Sequence, residues 1–194
     1  MSFEEALQVG LIGEGLCAAW WQAFGWHILP AYEIEADSGK EPRLFMATQE
    51  RLITPDMLCI KGDKACWAEA KTKSAFTWHR KTETFQTGID RRHWRDYLKV
   101  SESQSFPMWL MFVHRAGQVA KNTPPGMESP SGLYAQDIVK LRATIDHEHA
   151  NYGPSGMVYW RESAFKRLCD YEELVRIARG LREGRMPELE AVHA

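Results

Sequence analysis

The chain has 194 residues, enough for one domain with a substantial core. With 44% hydrophobic and 26% charged residues it has the composition of a folded globular protein, which excludes a disordered or low-complexity chain. A formal net charge of −2 excludes a uniformly basic nucleic-acid binder, so any contact with a polyanion must be local.

From the N-terminus, Ser2 and Glu5 have capping-box spacing, and Phe3 to Phe24 reads as a helix. Leu7, Leu11, Ile12, Leu16, Ala19, Trp20 and Ala23 recur at helical spacing, and Gly25 suits the stop. Glu14 interrupts this stripe between Gly13 and Gly15. Glycine inside a helix costs about 1 kcal/mol relative to alanine. Two of them imply that something approaches that turn closely; the competing reading is a solvated glutamate on a loose helix. Trp26 to Tyr32 is a predicted strand that Pro30 assigns to an edge or a bulge. Glu33 to Glu50 is polar, a loop with a short strand at Arg43 to Ala47.

Ile53 to Lys73 reads as two strands joined at Gly62-Asp63, a pair suited to a type II′ hairpin turn. That turn fixes the register: Lys61 faces Lys64, Cys59 faces Cys66, and Asp56 faces Glu69. Alternation then puts Asp56, Glu69 and Lys71 on one face. Directly opposed residues have Cβ atoms about 4.5–5.5 Å apart. Two carboxylates so close repel each other, and fold stability gives no reason for them, whereas a divalent cation does. The competing reading is a structural cluster in which Lys71 holds the acids together without metal.

Phe76 to Thr87 shows no clear period and is aromatic, basic and rich in threonine, which predicts an exposed loop over a binding groove. Asp90 is placed to cap a helix from Arg91 to Ser103, with Trp94, Tyr97, Leu98 and Ser101 on its inner stripe. Between Lys71 and Lys99 there are eight Lys/Arg and three Asp/Glu, interleaved with five aromatic residues. Such a strip on a near-neutral chain has the composition of a phosphate-contacting surface; a charged helical face is also often merely solvated.

Phe106 to His114 is the most apolar segment and predicts a central strand covered on both faces. Residues 116–132 hold Pro124-Pro125-Gly126 and Ser129-Pro130, a loop-rich insertion. Leu133 to Ile138 is a predicted strand and Val139 to His149 a predicted helix. Asp146-His147-Glu148-His149 has metal-ligand chemistry, but two positions on a helix diverge by about 200°, which argues against a shared ion there. Asn151 to Pro154 is a turn, Met157 to Trp160 a short strand, and Ser163 to Glu183 a C-terminal helix burying Leu168, Tyr171, Leu174, Val175, Ala178 and Leu181. There are no repeats and no domain boundary, so residues 1–194 read as one domain.

Cys17, Cys59, Cys66 and Cys169 include no C-x-x-C pair, which excludes a zinc finger. Cys59 and Cys66 read as buried thiols in a reducing cytoplasm, with a disulfide as the alternative. No basic segment precedes an apolar run at the N-terminus, and no apolar run reaches the roughly 20 residues of a membrane span. The expectation is a cytoplasmic protein without a membrane partner.

Pro55-Asp56 on one strand and Glu69-Ala70-Lys71 on the next resemble the PD-(D/E)XK nuclease family, over roughly Gly10 to Arg115. Glu14 falls where many members carry a further acidic residue on the first helix. The resemblance implies an α/β restriction-endonuclease-like core, a central mixed sheet of four to five strands flanked by helices. It implies a Mg²⁺-dependent DNA endonuclease, with Mn²⁺ as a substitute. Asp56, Glu69, Glu14 and the Ala70 carbonyl would be the metal ligands, and Lys71 would orient or deprotonate the attacking water. Lys73, Arg80, Lys81, Gln86, Arg91, Arg92 and Arg95 would contact DNA, and cutting two strands would favour a homodimer. The alternative is an inactive nucleic-acid-binding or assembly module on the same fold.

Overall fold

A computed structural model describes residues 3–31, 43–46, 50–120, 122–153 and 155–185. The expectations for Ser2, Tyr32, Ala47 and Pro154 lie outside these residues. The chain opens with helix α1 (Phe3–Ala23) and continues through strands β1 (His27–Pro30), β2 (Arg43–Phe45), β3 (Arg51–Ile53), β4 (Met57–Lys61) and β5 (Lys64–Lys73). Strands β6 (Thr77–His79) and β7 (Thr84–Asp90), helix α2 (Arg91–Glu102), β8 (Met108–His114) and β9 (Gly132–Asp137) follow. The rest is α3 (Ile138–Ala143), β10 (His147–His149), β11 (Met157–Arg161), β12 (Lys166–Cys169) and α4 (Tyr171–Arg182).

Six strands form the main sheet in the order β1-β4-β5-β8-β9-β12, with β5 parallel to β8 and the other pairs antiparallel. This is the expected mixed α/β arrangement of a central sheet flanked by helices, one strand larger than the expected upper count. A second sheet, β10-β11-β7-β6, and a β2-β3 pair complete the strands. The apolar run of β8 sits between β5 and β9, and Leu110 to Val113 are fully buried, because apolar side chains are needed on both faces of a covered strand. β1, with Pro30, is an edge strand.

Two cores lie on opposite faces of this sheet. One joins Leu16, Cys17 and Trp20 of α1 and Leu174 and Ile177 of α4 to Cys59, Cys66, Ala68 and Ala70. All four cysteines are buried in it and free, as thiols. The other joins Trp94, Tyr97 and Val100 of α2 to Leu110, Phe112, Ile89 and Trp160. No described helix is long and apolar enough to cross a membrane.

Three local expectations are corrected. Phe76 to Thr87 is not a loop but the β6-β7 hairpin, reversed through Glu83 in the left-handed region at φ 50°. Val139 to His149 is a short helix followed by β10, because Thr144 ends α3 by returning its side chain to the Lys140 carbonyl. Ser163 to Glu183 is likewise split. Asp170 caps α4, accepting from Glu173 N–H at 2.6 Å, and Lys166–Cys169 joins the sheet beside β9 as β12. Between residues 116 and 131 the described residues carry no helix or strand.

Candidate active site

The hairpin register is the expected one: Met57 faces Ala68, Cys59 faces Cys66 and Lys61 faces Lys64. Gly62 takes φ +60° while Asp63 keeps a negative φ, as a type II′ turn requires. Asp56 lies just before β4 and is 8% exposed; Glu69 on β5 is 1% exposed. Asp56 N–H donates to Glu69 Oε2 at 3.2 Å, and Ala70 N–H donates to Asp56 Oδ2 at 2.7 Å. Each acid is thus held by the backbone of the opposite strand.

Lys71 Nζ pairs with Glu69 Oε1. The same oxygen accepts from Tyr97 O–H at 2.5 Å, and that phenol lies 3.3 Å from His93 Nδ1 one turn earlier on α2. Tyr97 is 1% exposed, so its hydroxyl needs a buried partner and Glu69 supplies one. Sequence periodicity assigns Tyr97 to the inner stripe of α2, which is where it lies. The missed signal is that an inner-stripe tyrosine carries a donor.

Glu14 contributes from the other side. Burial and the negative Glu69 hold its carboxyl above the usual range. Gly13 beside it packs against β5: a Cβ there would fall 1.6 Å from Thr72 Oγ1. The close approach implied by the glycine pair exists at Gly13; at Gly15 nothing lies within 4 Å. Asp56 is affected most strongly, its carboxyl pushed well above the usual range by burial and by Glu69, against the opposing pull of Lys71.

Three carboxyls around one ammonium leave an excess of two negative charges when all are ionised. Asp56 Oδ1 and Glu69 Oε2 are hard oxygen donors of the kind a Mg²⁺ or Mn²⁺ ion takes. Among the described residues no three His, Cys, Asp or Glu side chains already converge on one point. The donor set therefore fits an ion that keeps several waters, not an all-protein cage.

The residues expected to touch DNA are dispersed. Lys73 ends β5 opposite His114, half-buried, with its pKa lowered to about 8 by burial and by Lys71. Arg80 and Lys81 are exposed on the β6-β7 turn, Arg80 donating to Asn122 Oδ1 at 3.2 Å. Arg91 lies 3.5 Å from Glu148. Arg92 and Arg95 line an outer groove with Lys99 and Arg142, on the side of α2 away from Tyr97. Gln86 is 2% exposed and donates to Asp146 Oδ2 at 2.9 Å, inside the second sheet.

No family model matches the sequence, and no curated protein matches it. Solved structures similar to this chain include two nucleases. The Holliday junction resolvase Hjc from Archaeoglobus fulgidus aligns at a TM-score of 0.42 and 9% identity, over 77% of this chain and 85% of its own. D212, a nuclease from a fusselovirus, aligns at 0.39 and 12%, over 95% of this chain and 96% of its own. Both are similarities of fold.

Proposed function

We propose that this protein is a divalent-metal-dependent endonuclease acting on DNA, with Asp56, Glu69 and Lys71 at its catalytic centre. The observation that carries the reading is the interlocked pair: Asp56 and Glu69, each held by the other strand's backbone, with Lys71 on the shared carboxylate. Buried acids in excess over their cations are unfavourable without a further positive charge.

Asp56, Glu69 and the Ala70 carbonyl would hold the ion, with Glu14 completing the acidic set. A bound Mg²⁺ or Mn²⁺ would supply a nucleophilic water at neutral pH and offset charge on the phosphate. The chain's own groups do the rest. Tyr97 fixes the orientation of Glu69 through a single strong hydrogen bond. Lys71, with 27% of its side chain exposed, reaches from Glu69 towards solvent, where its ammonium can orient a water or stabilise phosphoryl oxygens. Lys73 and the exposed Arg80 and Lys81 are the next basic side chains along the chain and would hold the DNA backbone. A homodimer would supply a second centre for the second strand.

The test uses labelled linear, nicked, flap, four-way-junction and single-stranded DNA with Mg²⁺, Mn²⁺ or EDTA. Cleavage should require the ion and fall at least a hundredfold in Asp56→Asn, Glu69→Gln and Lys71→Met. Cleavage that persists in all three variants removes the assignment. DNA binding indifferent to EDTA, with no cleavage on any substrate, favours the inactive-module reading.

A further inference from the structure

His147–His149 is strand β10, with Asp146 just before it, and not a helix, so the divergence argument against a metal no longer applies. What it brings together is a different pair. His79 ends β6 and His147 begins β10, the two outer strands of the second sheet. In a flat sheet three strand spacings would separate those strands by about 14 Å. Here the imidazole centres are 5.1 Å apart, with planes inclined at 31°. Strong coiling brings opposite corners of this sheet together. Gly88 permits it: a Cβ there would lie 2.5 Å from the Val158 carbonyl oxygen and 2.8 Å from the Tyr159 ring.

Both rings are oriented from behind. His147 Nδ1 lies 2.8 Å from Asp146 Oδ2, and its face stacks on Tyr159 at 4.8 Å. Asp146 is itself fixed, by Arg161 Nε at 2.5 Å and by the buried Gln86 amide at 2.9 Å. His79 Nδ1 lies 2.8 Å from Thr82 Oγ1, which also receives Gln86 Nε2 at 3.4 Å. One buried glutamine thus supports both histidines, and neither Nε2 has a partner among the described residues. An imidazole with Nδ1 tied to oxygen and Nε2 open is the arrangement of a histidine metal ligand.

The spacing fits as well. A zinc–nitrogen bond of about 2.0–2.1 Å puts each ring centre about 3.2 Å from the ion, so two rings at the tetrahedral angle stand about 5.2 Å apart. We propose that His79 and His147 are two ligands of a Zn²⁺-class transition-metal site joining the two edges of the β10-β11-β7-β6 sheet. No third His, Cys, Asp or Glu side chain converges with them among the described residues, so water or a phosphate oxygen fills the remaining positions. Asp146 is a positioning residue. The ligand chemistry differs from that of the Asp56–Glu69 centre: imidazole selects Zn²⁺, Ni²⁺ or Cu²⁺, and carboxylate selects Mg²⁺ or Mn²⁺. The two sites stand or fall separately.

The experiment is calorimetric titration of the whole protein with Zn²⁺ in excess Mg²⁺, paired with nitrogen-15 spectra of the histidine rings. The wild type should bind one Zn²⁺ with a shift of both Nε2 resonances. His79→Gln and His147→Gln should each weaken binding at least tenfold, Asp146→Asn about tenfold, and Asp56→Asn not at all. Asp146→Asn separates positioning from ligation, because both Nε2 shifts should persist in it at saturating Zn²⁺. The metal-free melting curve identifies any variant that fails to fold; if His147→Gln is one, His79→Gln, whose ring is anchored only on Thr82, gives the same readout. Zn²⁺ binding that is absent, that survives both histidine substitutions, or that is lost in Asp56→Asn overturns the proposal.

Discussion

The two glycines of α1 look equivalent in sequence and should behave oppositely on substitution. At Gly15 an added Cβ meets nothing within 4 Å, so Gly15→Ala should gain the helix propensity difference, about 1 kcal/mol. At Gly13 the added Cβ would lie 1.6 Å from Thr72 Oγ1 and 3.0 Å from Thr72 Cβ. Thr72 Oγ1 makes no hydrogen bond among the described residues, so its rotation is cheap and removes the first conflict. The Cβ–Cβ distance does not change with rotation, and it is well short of the roughly 3.5–4.0 Å of an ordinary carbon contact. Helix and strand must therefore separate by about half an ångström. Overpacking of that kind costs about 1–3 kcal/mol, against a propensity gain of about 1 kcal/mol. Gly13→Ala should end between neutral and about 2 kcal/mol destabilised, roughly 1–3 kcal/mol below Gly15→Ala. For a chain of this size the two melting temperatures should differ by about 2–4 °C per kcal/mol. Urea and thermal unfolding of both variants measure the gap. Thr72→Gly should recover the contact cost in the Gly13→Ala background, whereas Thr72→Ser, which keeps Cβ and Oγ, should not. A Gly13→Ala protein as stable as Gly15→Ala would refute the close approach of α1 to β5.

Three further outcomes follow from buried groups. His114 is fully buried and stacked on Phe76 at 3.6 Å, with its pKa lowered to about 3 mainly by burial. Its folded value lies below its unfolded one, so the unfolded chain binds the extra proton between about pH 6.5 and 3, and stability falls as pH falls through that window. The full effect is up to about 4–5 kcal/mol, and His114→Phe should remove that part of the acid slope in pH-dependent urea melts. Asp56 has the opposite sign: its folded pKa is raised, so in EDTA its contribution is complete below the unfolded value of about 3.9 and is lost as pH rises towards the folded value. The slope is up to about 1.4 kcal/mol per pH unit, and both Mg²⁺ and Asp56→Asn should flatten it. Tyr97→Phe leaves Glu69 Oε1 without its phenol donor and should cost about 1.5–3 kcal/mol of stability, together with a measurable loss of Mn²⁺ affinity by calorimetry.

Much of the fold is legible because its strongest signals are local. The II′ turn at Gly62-Asp63 sets a register that places every pair from Lys61–Lys64 to Met57–Ala68. The apolar run of β8 and the Asp90 cap of α2 likewise need no distant information. Of the second sheet only β11 is legible as a strand, and the rest is hidden for a physical reason. β6 and β10 are three-residue strands at its edges, too short to show a period, and Glu83 turns the chain where a glycine is the usual marker. In sequence β12 merges with the following helix because Leu168 and Leu174 suit either element, and only the Asp170 cap separates them.

The candidate site divides along the same line. Asp56, Glu69 and Lys71 are a matter of strand register, and register is what the hairpin encodes. The phosphate-contacting set rests on charge density along the chain, which says nothing about direction. Placing Tyr97 against Glu69 obliges Arg92 and Arg95 to face the outer groove, because positions on opposite sides of one helix cannot both address the same centre. Gln86 is drawn inward by Asp146 in the same way. If DNA lies across the Asp56–Glu69 centre, the residues that hold it are Lys71, Lys73 and the β6-β7 turn, while Arg92 and Arg95 reach only a second segment of the duplex. Reversing both arginines to glutamate should then weaken binding to long duplexes and flatten its salt dependence by about two phosphate contacts, while leaving the cleavage rate of a short bound substrate unchanged. A loss of cleavage on the short substrate would place those arginines at the centre and contradict the geometry of α2.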